Sequence, residues 1–161
     1  MRSIVVYFSQ TGNTKSIAQK IASMLGSDML ELVPVKAYPS GKASKFLMGG
    51  MGAVMGDKPK LNPYSFDHYA YNTLILCSPI WAGTIAPPLR TFVTEQNVAG
   101  KKIGFVFCSS SEDTSKAYSA LTAAVGIPQA NASLTLVEPL TNPKEENEEL
   151  IKAFVKKISL K

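Results

Sequence analysis

The sequence predicts an α/β domain, a parallel sheet covered by helices on both faces. Three observations carry this. Five runs of strand length each give way to a segment with helical periodicity, in strict alternation along the chain. The first run, Ser3–Phe8, is continuously apolar, β-branched and aromatic, the pattern of a strand buried on both faces. The 161 residues, 45% hydrophobic and 18% charged, suit one domain spanning 1–161 with a core of its own. At this size a fold buries roughly 70% of the unfolded chain's surface, so neither a disulfide nor a metal staple is required.

After the first strand comes a helix with Ile17, Ile21, Met24 and Leu25 on one face, stopped by Gly26. Residues 28–33 read as the second strand. From Pro34 the chain turns basic and glycine-rich. A helix over 44–55 must tolerate Gly49, Gly50 and Gly52, and its Met48, Met51 and Met55 fall at core-packing spacing. The third strand is 73–78, and Pro87 and Pro88 open a helix carrying Leu89, Phe92 and Val93. Residues 102–108 form the fourth strand. The helix that follows points Tyr118, Leu121 and Val125 inward and ends at Gly126. Residues 133–138 form the fifth strand. For the last helix, Asn142 is placed to cap, Pro143 suits the first position and Glu145 completes a capping-box spacing. Its apolar stripe is Leu150, Ile151, Phe154, Val155 and Ile158.

Open parallel sheets bind ligands beyond the carboxyl ends of their strands, so the loops there are the place to look for chemistry. The first strand is followed by Ser9-Gln10-Thr11-Gly12-Asn13-Thr14, running straight into a helix. Hydroxyls, an amide and a permissive glycine at a helix N-terminus make a phosphate cradle. The loop lacks the GxxxxGK[ST] spacing of a triphosphate site. The third strand is followed by Ser78-Pro79-Ile80-Trp81-Ala82-Gly83, where the sole tryptophan either packs under the loop or offers a stacking face for a flat ring. The fourth is followed by Ser109-Ser110-Ser111-Glu112, polar groups for the edge of that ring.

Ser9–Thr14 resembles the phosphate loop of flavodoxins, [ST]-x-T-G-[NH]-T, in sequence and in its place between first strand and first helix. The likeness extends over essentially the whole chain, in the short-chain form. It implies a three-layer doubly wound flavodoxin-like fold with a five-stranded sheet of order 2-1-3-4-5, binding FMN non-covalently. By position, Ser9, Gln10, Thr11, Gly12, Asn13 and Thr14 would hold the phosphate. Ser78, Pro79, Ile80, Trp81, Ala82 and Gly83, with Ser109, Ser110, Ser111 and Glu112, would frame the ring. No protein group would do covalent chemistry and no metal site is expected. The resemblance implies an electron-transfer protein served by a redox partner protein. The alternative is an FMN-dependent NAD(P)H:quinone-type oxidoreductase, with NAD(P)H as donor.

Charge keeps that alternative open. Seventeen basic residues against twelve acidic give +5. Most of the excess lies in 36–60, where Lys36, Lys42, Lys45, Lys58 and Lys60 face Asp57 alone. Flavodoxins that carry electrons between proteins are typically acidic. A third reading makes the basic face a binding module, yet no helix-turn-helix, zinc-finger or RNA-binding signature accompanies it, so nucleic acid is not expected. Other uses of this layout lack their residues. A response regulator needs an Asp after the third strand, where Cys77-Ser78-Pro79 stands, and neither cysteine opens a Cys-x₅-Arg loop. Cys77 and Cys108 read as small apolar fillers, and His68 as a surface or satisfied residue. No run approaches the ~18 apolar residues of a spanning helix and no signal-peptide layout opens the chain, which points to the cytoplasm.

Overall fold

The computed structural model describes residues 2–40 and 50–160. Its strands are β1 (Ser3–Tyr7), β2 (Asp28–Glu31), β3 (Thr73–Trp81), β4 (Thr84–Ile85), β5 (Lys102–Ser109) and β6 (Ala132–Val137). Its longer helices are α1 (Asn13–Leu25), α2 (Pro87–Glu95), α3 (Ser115–Val125) and α4 (Asn147–Ser159). The sheet order is β2-β1-β3-β5-β6, parallel throughout, with β4 paired antiparallel to β3. With β4 set aside, this is the expected 2-1-3-4-5 order.

Side chains alternate between the two faces of the central strands, as a period of two requires. On one face Ile4, Val6, Leu74, Leu76, Phe105 and Phe107 pack against Leu89 and Phe92 of α2 and Leu121 of α3. On the other, Val5, Ile75, Cys77, Val106 and Cys108 meet Ile17 and Ile21 of α1 and Ile151 and Phe154 of α4. α4 lies so close that a Cβ on Gly104 would stand 2.8 Å from Phe154 Cζ.

Several expectations are corrected. β1 ends at Tyr7, so β2 has no partner beyond Leu32, whose N–H still reaches Tyr7 O at 2.8 Å. β2 therefore stops at Glu31 rather than Val33. Met24 is exposed, because α1 turns its small Ala18 and Ala22 to the sheet beside Ile17 and Ile21. Of the helix expected over 44–55, residues 50–55 are helical and Met48 lies outside the described residues. Met51 and Met55 are exposed rather than core; Ala53 takes the inward position.

α4 begins at Asn147, not Pro143, and no side chain caps it. The Asn142 N–H instead closes a turn onto Glu138 O at 2.7 Å, and the Asn147 N–H bonds Lys144 O at 3.1 Å. The local capping pattern yields to a connection fastened at both ends. Leu150 accordingly falls on the exposed side of α4, while Ile151, Phe154 and Ile158 are buried.

Candidate functional site

The first loop delivers an open helix terminus. Gly12 is the N-cap of α1 with φ +93°, a left-handed conformation that glycine adopts without strain. Its Cβ position lies 3.3 Å from Leu140 Cδ2, so a side chain there would also crowd the β6–α4 connection. The Ser9 hydroxyl accepts the Gly12 N–H at 3.2 Å, curling the loop. No side chain caps α1, which leaves its first-turn N–H groups and the positive end of its dipole facing outward. Thr14 is buried, and among the described residues its hydroxyl meets only the Cys108 thiol, a weak partner. Asn13 is occupied otherwise: its Oδ1 accepts the Leu140 N–H at 2.8 Å and its Nδ2 donates to Thr11 Oγ1 at 3.2 Å. It ties the β6–α4 connection onto the loop.

The second loop is largely strand. β3 runs on through Trp81 and turns back into β4, pairing Ile80 with Ile85 and Trp81 with Thr84. The turn residues Ala82 (φ +48°) and Gly83 (φ +79°) are both left-handed, the pair of conformations a two-residue type I′ hairpin needs. Ala-Gly is a poor advertisement for that turn, which is why the hairpin was not legible. The buried Ser78 hydroxyl donates to Pro79 O at 2.8 Å and accepts the Ala86 N–H at 3.0 Å, pinning the hairpin to the start of α2. The Trp81 ring stands edge-on to Phe8 (5.4 Å between centroids, 89°) and to Tyr38 (4.9 Å, 83°). It is one of three rings supporting each other, not a lone aromatic.

In the third loop, Ser109 ends β5, is buried, and accepts the Ser111 N–H at 3.2 Å. Ser111 and Glu112 are exposed, and Glu112 reaches toward Lys144 at 3.4 Å. Asp113 accepts both the N–H and the hydroxyl of Ser115, at 3.0 and 2.7 Å, which steadies the start of α3.

These loops meet at one cleft. Thr11, Asn13, Pro79, Ile80, Trp81, Ser109 and Ser110 line it, together with Cys108 and Glu138. Ser9 and Gln10 line a neighbouring hollow with Tyr38 and Glu31. Gly12, Thr14, Ser78, Ala82, Gly83, Ser111 and Glu112 do not line the cleft; they shape or flank it. Tyr38 and Glu138 were missed. Tyr38 lies in a connection whose contacts no periodicity reveals, and Glu138 draws attention only through its positive φ of 41°. Among the described residues, Glu138 is the one charged residue lining the cleft, so from these an anion there would draw on N–H and hydroxyl donors.

The two free cysteines sit on one face of adjacent strands, Cys77 opposite Val106 and Cys108 opposite Pro79. Burial pushes the Cys108 thiol up to about 12, against a smaller opposing effect of Thr14, and raises Cys77 as well. Both stay protonated at neutral pH and neither is a thiolate nucleophile. No group of His, Cys, Asp and Glu among the described residues is arranged to hold a metal ion. No helix among them is long and apolar enough to cross a membrane.

Comparison with solved structures shows the same fold. A Bacteroides uniformis protein assigned as a flavoprotein shares 24% identity over 96% of this chain and 97% of its own, with a TM-score of 0.78. A Bacteroides eggerthii protein assigned likewise shares 22% over 99% of both chains, with 0.76. The Lactobacillus acidophilus flavoprotein solved in complex with FMN shares 19% over 92% of this chain and 97% of its own, with 0.69. Among curated proteins no significant match was found. The flavodoxin family model matches residues 2–157, nearly end to end, and the chain belongs to the flavodoxin family.

Proposed function

We propose that this chain binds FMN non-covalently and serves as an electron-transfer protein. The phosphate would sit at the α1 N-terminus and the ring in the cleft beside Trp81. The observation that carries the reading is the buried Thr14 hydroxyl, with only a thiol beside it, under an uncapped helix terminus. A thiol is a weak acceptor for a buried hydroxyl, and a phosphate oxygen above α1 is a stronger one. The residues present therefore fit the group. The Ser9 hydroxyl, already an acceptor for Gly12, keeps its own proton free to donate. Thr11 and the first-turn N–H groups supply further donors, and no cation is needed.

When bound, FMN supplies the ring that takes up and returns electrons. The chain's residues position and shelter it. Pro79, Ile80 and Trp81 offer an apolar wall held stiff by the β3–β4 hairpin. Ser109 and Ser110 add polar groups to the lining of the cleft. The phosphate-first reading has a direct test: FMN should bind much more tightly than riboflavin, which shares the ring and lacks the anion. Equal affinity by flavin fluorescence quenching rejects it.

A second reading, an FMN-dependent NAD(P)H oxidoreductase, draws on the exposed Lys36, Lys58 and Lys60, none of them ion-paired among the described residues. Steady oxidation of NADPH by the FMN-loaded chain with a quinone acceptor favours it. Absence of turnover, with electrons still accepted from a protein donor, favours the carrier.

A further inference from the structure

The helical residues 50–55 divide cleanly. Gly52 and Ala53 face inward, whereas Met51, Val54 and Met55 are 58%, 61% and 75% exposed. Their spacing of three and four places all three on one face of the helix. Single exposed apolar residues are ordinary, but three adjoining ones form a patch that asks for a cover.

The patch lies next to the cleft. The Gly50 Cβ position is 3.8 Å from Ala82 Cβ, in the hairpin turn that follows Trp81. Cations lie towards its two ends, by Gly56 and by the hairpin turn. The Arg90 guanidinium comes within 2.8 Å of the Gly56 Cβ position, and the Lys116 side chain within 3.7 Å of the Gly83 Cβ position. Lys58 and Lys60 follow in sequence and are exposed. None of these four has an ion-pair partner among the described residues. Asp57 is the one carboxylate between 50 and 60.

We infer that this apolar patch with its cationic rim is the docking surface for an acidic electron-carrier protein. The inference rests on the electron-transfer reading above. Charge complementarity selects the occupant. A second copy of the chain would bring cations against cations, and a dinucleotide would leave the methionine face uncovered. An acidic protein with an apolar centre matches both the rim and the face. Unbranched methionines adapt to a partner's contour without fixed shape, and rim charges act mainly on encounter rate and its salt dependence.

The experiment uses the full chain with ¹³C-labelled methionine methyls, loaded with FMN, and an acidic [2Fe–2S] ferredoxin as the probe. Loading is checked first by absorbance, so a failure of FMN binding is seen separately from a failure of docking. Addition of the probe should shift or broaden the Met51 and Met55 methyl signals and leave Met24 and Met29 in place. The dissociation constant should rise at least fivefold between 50 and 300 mM NaCl. Lys58→Glu with Lys60→Glu should weaken binding tenfold or more, and Met51→Ser with Met55→Ser several-fold, with FMN affinity unchanged in both. Signals that never move, movement at Met24 and Met29 instead, or binding indifferent to both double variants overturns the inference. So does self-association of the chain, or tighter binding of anionic phosphatidylserine vesicles than of the probe, through the same methyls.

Discussion

Thr14 shows how a residue can be legible by type and still need the structure for its meaning. Its place in a run of polar residues before a helix suggested a donor; burial beside a thiol alone leaves it able to take a stronger acceptor. Replacing Thr11 and Thr14 together by alanine should weaken FMN binding by about 2–4 kcal/mol, the worth of two charge-assisted hydrogen bonds. Riboflavin affinity should hardly change if, as proposed, both donors serve the phosphate; parallel quenching titrations with the two flavins check this. Trp81 carries a different balance. Its edge contacts with Phe8 and Tyr38 mean that it supports the protein as well as facing the cleft. Trp81→Ala should lower FMN affinity by roughly 1–3 kcal/mol, the scale of stacking on an aromatic ring. It should also lower folding stability, so affinity is to be measured on protein shown to be folded by circular dichroism. A folded variant that holds FMN as tightly as the parent means that the ring is structural support alone.

At the level of elements, the sequence was read correctly wherever a long period could speak and wrongly where a few tertiary bonds decided. The alternation of strands and helices, the proline-led start of α2 and the glycine stops of α1 and α3 all came through. The start of α4 did not. Asn142, Pro143 and Glu145 have the spacing of a cap, but the Asn13 side chain captures the Leu140 N–H from 127 residues away. Together with the Asn142–Glu138 turn, this holds the segment out of the helix. The β3–β4 hairpin was lost for the opposite reason, since Ala82 occupies a left-handed position that alanine seldom signals. That misfit yields a prediction. Asparagine tolerates the same conformation far better, and Asn-Gly is the favoured type I′ pair. Ala82→Asn should therefore stabilise the fold by up to about 1 kcal/mol, read from urea unfolding midpoints at constant slope. A loss of stability instead means that the hairpin tip packs in a way its backbone conformation does not convey.

Across the whole molecule, ionisable groups on the central strands and on the connection packed beside them can titrate only at a cost. Burial pushes Cys108 from its ordinary 9.0 to about 12, and Cys77 is raised as well. Tyr7, buried and then facing Glu31, and Tyr38, buried and then near Asp57, each rise from 10.0 to about 12. All four are neutral when protonated, and the folded state holds their protons more tightly than the unfolded chain does. Their contribution is therefore fully present below pH 9 and is lost as the pH climbs through 12, because over that window the unfolded chain releases protons the native state retains. Chemical denaturation at pH 8, 9, 10 and 11 should give a level stability at first and then a decline that steepens with pH. Tyr38→Phe removes one of the titrating groups while keeping its ring against Phe8 and Trp81, so its decline should be shallower than the parent's over pH 10–12. A parent profile that stays flat to pH 11 means that the cleft side of the sheet opens to solvent far more readily than its packing implies. The cofactor offers an internal check. A ligand that binds the native state alone stabilises it by mass action. Saturating FMN should therefore raise the whole profile at every pH without moving the point where the decline begins, provided its own affinity is steady across the range.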